Sequence, residues 1–247
     1  MQMSAVLRHV VAAHPDWRID YQAEEGRHQV GRGIVAGTFA YGQPHPSAHY
    51  DAEVQIVLFD RWYGYTDRPN TRVTSCLHER FNLPWLPEYG RYKVEVSDTA
   101  KWMVGSLLRG EGYVAVHYQG DSAQDKKDLT HGQADEVCRE VCRLGYIPLV
   151  LDWRLKSPIP HRKMWAPAAW GNDAEMVCAV ISRCRAFVGI DSGPAKCASA
   201  TDVPVLVVWT GHHPAPFHDP APNTTHLVPA GYHGMNPVGN NPGVVEW

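Results

Sequence analysis

The stretch AVISRCRAFVGIDSGPAKCASATDVPVLVVWTG, Ala179 to Gly211, decides the fold. It contains the end of an amphipathic helix, the apolar strand AFVGI and an Asp-Ser-Gly-Pro corner. A helix of small residues and a second apolar strand, VPVLVVW, follow. Strands that are apolar throughout, rather than alternating, belong to a parallel sheet covered on both faces. At the corner, Gly193 permits close backbone approach, and Pro194 has no N–H to lose in the first turn of a helix. That helix start presents free N–H groups and partial positive charge, to which Ser192 adds a hydroxyl and Lys196 a full charge. Asp191 is the odd member, because a carboxylate repels phosphate. It suits the hydroxyls of a sugar beside a phosphate, which together describe a nucleotide-sugar. From local physics alone, an N-capped turn with Asp191 or Ser192 as the cap explains the same residues equally well.

Upstream, the pattern repeats. GYVAVHY (112–118) is a β-rich run and residues 119–127 a polar loop. THGQADEVCREVCRLG (130–145) is an amphipathic helix with Thr130 as its cap and Gly145 as its stop. YIPLVLDW (146–153) is another buried strand. After a Pro-rich loop, NDAEMVCAVISRC (172–184) is a helix capped by Asn172 or Asp173. Strand-helix-strand-helix order predicts right-handed crossovers. The first half is thinner: a helix over 4–13 capped by Ser4, a strand at 17–22, and a stronger strand, YDAEVQIVLF, ending at Asp60. TSCLHERFNL (74–83) has helical periodicity, LPEYGRYKVEVSD (86–98) reads as a connector, and Trp102 to Arg109 as a short helix. The expected fold class is α/β, with two doubly wound parallel-sheet halves. The expected units are residues 1–104, 105–230 and a Gly/Asn/Pro-rich tail, 231–247, with the change of halves falling near 98–111.

The 247 residues are 44% hydrophobic and carry a net charge of -3, so no polyanionic partner is implied. No apolar run reaches the roughly 18 residues of a membrane span, and the start lacks signal-peptide character. The six cysteines show no zinc spacing. Cys138 and Cys142, four apart on one helix, read as packing residues, and free thiols point to the cytoplasm.

Ligands of an open parallel sheet bind beyond the carboxyl ends of the strands. Four loops occupy that position: 117–127, 152–173, 191–196 and 209–219. The last holds His212, His213, His218 and Asp219, which could supply zinc ligands. Trp209, Trp62, Trp165 and Trp170 could stack on a base or sugar, or fill the core.

The quoted stretch, with residues 112–153, resembles the heptosyltransferase-like glycosyltransferases of family 9. Their signature runs from helix and strand through Asp-Ser/Thr-Gly into a small-residue helix. The resemblance covers about residues 111–229 and implies two facing Rossmann-like domains of GT-B type, with the N-terminal one shortened. It implies inverting transfer from a nucleoside diphosphate sugar to an acceptor hydroxyl, with no cofactor and no obligatory metal. Carried over by position, Asp191 would hold sugar hydroxyls. Ser192, Gly193 and Pro194 would form the diphosphate corner with Lys196, where the family usually has His. Ser122 with Lys126 or Lys127 would neutralise the phosphates from the other side, next to Gln119. Asp152 and Trp153 would meet the nucleoside, and Thr210, Gly211 and His212 would close the donor site.

The family's opening strand and Gly-Asp loop, which commonly supply the base, have no counterpart here. Asp60 is therefore the candidate base, ahead of His45 and His49. The acceptor stays open: a glycan, a protein, a small molecule or a modified nucleic acid. Two other functions fit the same residues, a non-catalytic nucleotide-sugar-binding protein and a metal-dependent phosphate-ester hydrolase.

Overall fold

A computed structural model describes residues 2–41, 43, 50, 51, 82–84, 86–120, 124–152, 157–164, 173–210, 218, 221–230 and 244–246. The strand expected at 50–59, the helix at 74–83 and the candidates His45, His49, Asp60 and Trp62 lie outside them.

The N-terminal segment is built on α1 (Gln2–Ala13), whose Met3, Val6, Leu7 and Val10 recur at helical spacing and are buried together with Val30. Two short strands, β1 (Asp20–Ala23) and β2 (Gly37–Ala40), pair in parallel with Asp20 opposite Gly37. Ser4 is not the cap of α1, because the helix begins at Gln2. Its hydroxyl is buried and accepts the backbone N–H of Lys93 at 3.0 Å. His9 is buried on the same helix. Its Nδ1 donates to the Ala5 carbonyl at 2.8 Å, and its Nε2 accepts from the Leu86 N–H at 2.9 Å. The Leu86 and Lys93 N–H bonds tie the connector after residue 86 to α1, while the Ala5 bond holds the His9 ring within the helix.

From Ser97 onward the alternation is regular. Ser97 caps α2 (Asp98–Leu107), which leads into β3 (Tyr113–His117). A single turn, α3 (Gln124–Lys127), precedes α4 (His131–Arg143) and β4 (Ile147–Leu151). Then come β5 (Arg162–Met164), α5 (Ala174–Ser182), β6 (Ala186–Ile190), α6 (Gly193–Ser199) and β7 (Val205–Val208). The last strands are β8 (Thr224–Val228) and β9 (Val244–Glu246). Thr130 and Gln133 close a reciprocal capping box on α4, and Gly145 ends that segment at φ 83°. Of the two possible caps of α5, Asp173 is the one used, accepting from Met176 N at 3.0 Å.

The seven strands form one parallel sheet in the order β5-β4-β3-β6-β7-β8-β9. Numbered along the chain this is 3-2-1-4-5-6-7, the Rossmann order with a seventh strand. Ala134 and Cys138 of α4 pack on one face with Val116, Val150 and Ile190. On the other face, α2, α5 and α6 pack against Ala115, Leu149, Phe187 and Val207. Helices on both faces explain why the strands β3, β4, β6 and β7 are apolar on nearly every residue. Three strands correct the sequence reading. β5 lies in the stretch expected to be a Pro-rich loop, β8 in the loop after the last expected strand, and β9 in the stretch read as a tail. Cys142 is exposed, whereas Cys138 is buried. Among the described residues no helix is long and apolar enough to cross a membrane.

The N-terminal segment docks on the start of α5. Gln29 bridges it twice, donating to Asp173 Oδ2 at 2.8 Å and accepting from Glu175 N at 3.1 Å. The buried Glu175 carboxylate accepts from Ser97 N at 2.9 Å, from the Ser97 hydroxyl and from the Arg32 guanidinium. Three donors from two chain segments meet on one side chain. We predict that Glu175→Ala lowers the unfolding free energy by about 2 kcal/mol, as expected when several buried donors lose their acceptor. The urea midpoint reads this, and a midpoint unchanged from the parent contradicts the role.

Candidate functional site

The strand order reverses between β3 and β6. Beyond their carboxyl ends the following loops diverge, and this is where an open α/β sheet forms a crevice. Register places His117 opposite Gly189 at its floor. A Cβ on Gly189 would lie 2.7 Å from the His117 carbonyl oxygen, so only glycine lets the two strands close there.

After β6 the chain enters the Asp-Ser-Gly-Pro corner. Ser192 is the cap of α6, accepting from Ala195 N at 3.3 Å, and Pro194 sits in the first turn. The cap position left open by the sequence thus belongs to Ser192, which releases Asp191 for another partner. Asp191 Oδ1 receives Lys196 Nζ at 2.8 Å, with side chains only 10% and 16% exposed. Burial works against the charged carboxylate. The Lys196 ammonium outweighs it through charge and hydrogen bond, with His218 and Lys127 adding to it, and holds the Asp191 carboxyl below its ordinary value. Gly193 is exposed, and among the described residues nothing lies within 4 Å of the place its Cβ would occupy.

Lys127 comes from the other wall. The Gly120 N–H is held by Asp128 Oδ1 at 2.8 Å, and the Gln124 amide donates to the Gly120 carbonyl at 2.8 Å. Lys127 Cε passes 2.9 Å from where a Gly120 Cβ would stand, so glycine leaves the lysine its path. Lys127 lies near enough for its charge to favour the ionised Asp191, behind Lys196 and His218. Asp152, at the end of β4, accepts from Ser157 N at 2.6 Å, and Ser157 accepts from the Tyr118 hydroxyl at the end of β3. The loops after β3 and β4 are thereby joined.

Of the expected residues, the fold brings Asp191, Ser192, Gly193, Pro194 and Lys196 to one corner within range of the Lys127 charge, and ties Asp152 to the loop after β3 through Ser157. Gln119 and Thr210 are exposed at strand ends. Lys126 lies in α3, but its side chain is outside the described set, as are Ser122, Trp153, Gly211, His212, His213, Asp219, Trp165 and Trp170. Among the described residues no three His, Cys, Asp or Glu side chains gather as a metal-ligand set. Trp209 offers no open face: it is buried, and its indole N–H donates to His226 Nδ1 at 2.9 Å.

That bond opens onto a buried layer which the loop-by-loop sequence reading does not show. His226 is fully buried on β8, its ring 5.0 Å from that of His218 in an edge-to-face arrangement. His218 Nε2 lies 3.3 Å from Ser199 Oγ, which also meets Thr224 Oγ1 at 2.8 Å. The layer supports α6 from beneath. TTHLV is rich in β-branched residues, which suits a strand, but its polarity does not alternate, and the inward placing of Thr224, His226 and Val228 is visible only in the fold.

Neither a protein-family model nor a curated protein matches the sequence. Solved structures do match. A family 9 glycosyl transferase from Veillonella parvula DSM 2008 superposes with TM-score 0.67 at 12% identity, over 92% of this chain and 82% of that one. The E. coli heptosyltransferase WaaC with ADP gives 0.60 at 14%, covering 96% and 92%. E. coli ADP-heptose lps heptosyltransferase II gives 0.58 at 12%, covering 91% and 85%. The chain has the fold of these glycosyltransferases, as the sequence resemblance implied.

Burial, with the His218 charge adding to it, depresses His226 from 6.5 to about 2. Unfolded chains then bind a proton between those values that folded chains refuse. The stability His226 contributes is complete above about pH 6.5 and is lost as the pH falls toward 2. Replacement by His226→Gln keeps an acceptor for Trp209 and removes the titration. The parent's melting temperature should drop more steeply than the variant's between about pH 7 and 5. Equal slopes would contradict the assignment.

Proposed function

We propose that the chain is a GT-B-type glycosyltransferase that moves a sugar, with inversion, from a nucleoside diphosphate sugar to an acceptor hydroxyl. The Asp191–Lys196 pair at the switch-point crevice, with Lys127 brought to it from the opposite loop, carries this reading. An ammonium has three protons to donate. Lys196 directs one at Asp191 and can offer others to a diphosphate, while Asp191 keeps a second oxygen for sugar hydroxyls. The exposed start of α6 at Gly193 admits a ligand close to the backbone. Asp152, at the end of the second strand of a Rossmann order, stands where a ribose is commonly held.

In inverting transfer the acceptor oxygen bonds to the anomeric carbon as the bond to the diphosphate breaks, and a base removes the acceptor proton. Lys196 and Lys127 stabilise the charge that develops on the departing diphosphate, a task other enzymes give to a divalent cation. Turnover should therefore persist in excess EDTA. Asp60 is the base in this proposal, with the N-terminal half as the acceptor side.

ADP, GDP and UDP titrated calorimetrically against the parent and Lys196→Met test the donor site. ADP comes first, because a protein of the same fold is seen with it. Lys196→Met should weaken the preferred diphosphate at least about tenfold, or about 1.4 kcal/mol. An undiminished affinity refutes the phosphate role. Asp60→Asn should lower kcat by about 10²-fold or more with the donor affinity retained. Diphosphate binding without release of free nucleoside diphosphate, across acceptors, would make the chain a binding protein instead.

A further inference from the structure

The loops that leave β3 and β4 at the carboxyl edge are joined by side chains that the phosphate corner does not use. Tyr118 follows β3 directly, one residue past the His117 that lies opposite Gly189 at the crevice floor. Its ring is buried with Val116, Leu129, Ala134, Val150 and Ile159. Its carbonyl accepts the Leu129 N–H at 3.0 Å, which closes the loop that carries Lys127. The hydroxyl reaches two further segments. It lies 3.1 Å from His131 Nδ1, at the start of α4, and donates to Ser157 Oγ.

Ser157 is buried, and its Oγ also accepts the Ile159 N–H at 3.2 Å. Its own N–H donates to Asp152 Oδ2 at 2.6 Å. A chain of hydrogen bonds thus runs from α4 through Tyr118 and Ser157 to a half-buried carboxylate at the end of β4. An aspartate turns about two side-chain bonds, so it grips two adjacent hydroxyls well only when its orientation is fixed beforehand. The Ser157 N–H fixes one oxygen, and that N–H is only as steady as residue 157. Tyr118 steadies it, because the ring is packed in the core while the hydroxyl reaches out of it. Burial raises the Tyr118 hydroxyl above the ordinary phenol value, against the Ser157 bond and with the Asp152 charge adding to burial. It therefore keeps its proton and remains a donor at neutral pH.

We infer that Tyr118 is a positioning residue of the donor site: through Ser157 it orients Asp152 toward the vicinal hydroxyls of a ribose, and so makes the site select ribonucleoside over deoxyribonucleoside diphosphates. The inference rests on the glycosyltransferase reading and adds to it the residue that sets selectivity at the nucleoside end. Tyr118 acts through the Ser157 hydroxyl rather than on the donor. A phenylalanine there keeps the buried ring and loses the bond.

Calorimetric titration of the full chain with ADP and with 2′-deoxy-ADP tests this, or with the GDP or UDP pair where that diphosphate binds more tightly. The parent should bind the ribonucleotide about tenfold or more tightly than its deoxy counterpart, as expected when a charged acceptor loses its hydroxyl partner. Tyr118→Phe should bring the ratio down to about threefold or less, chiefly by weakening the ribonucleotide. Ser157→Ala, which removes the hydroxyl and keeps the N–H, should do the same. Lys196→Met acts at the phosphate end and should weaken both nucleotides alike, leaving the parent's ratio. A parent that binds both equally overturns the inference. So does either Tyr118→Phe or Ser157→Ala keeping the parent's ratio, even with both affinities or the melting temperature lowered, since a merely structural role has that outcome. Failure of every ribonucleoside diphosphate to bind the parent is a different result: it refutes the donor reading itself, and this inference with it.

Discussion

β3 and β6 lie side by side although β4 and β5 come between them in the chain, and the rest of the C-terminal unit depends on that pairing. It reverses the direction in which strands are added, sends α4 to one face and α5 and α6 to the other, and leaves two loops diverging at one edge. The contact is close enough that Gly189 must lack a side chain opposite His117. A crevice at this edge follows from topology before any residue in it is considered.

The charges at the crevice are arranged by what lies beneath them. Asp191 is buried, and a lone buried carboxylate would take up a proton. It stays ionised because the Lys196 ammonium lies 2.8 Å from it, with the charges of His218 and Lys127 adding to that. Beneath, Ser199, His218, Thr224, His226 and Trp209 satisfy much of their polar capacity with one another, and His226 stays neutral. Such a layer fixes α6 from beneath, and the charge of its His218 adds to the field that keeps Asp191 ionised. The N-terminal segment is held by a comparable concentration of bonds on Glu175 and Gln29.

The parts of this fold that were legible in the sequence are those whose cause is local. Thr130 and Gln133 cap α4 across three residues, and β3, β4, β6 and β7 announce double-sided burial by unbroken apolar runs. The strands that were not legible, β2, β5, β8 and β9, are short or mixed in polarity, and they owe their conformation to the neighbour that each extends. Ser4 misled for the converse reason. A serine near a helix start resembles a cap, but its hydroxyl serves Lys93, 89 positions away.

By itself, the sequence determined a doubly wound parallel sheet with an Asp-Ser-Gly-Pro corner at a strand end, since burial pattern and turn chemistry act over a few residues. It also placed Asp191 and Lys196 near enough to matter. Only the tertiary structure decided that Ser192 is the cap, that the Asp191 and Lys196 charges form one pair, and that Lys127 adds its charge to Asp191 from a separate loop. It alone joined Tyr118 to Asp152 through Ser157. These depend on separations of a few ångströms between segments far apart in the chain, and electrostatic and hydrogen-bond energies are set by those separations and by burial.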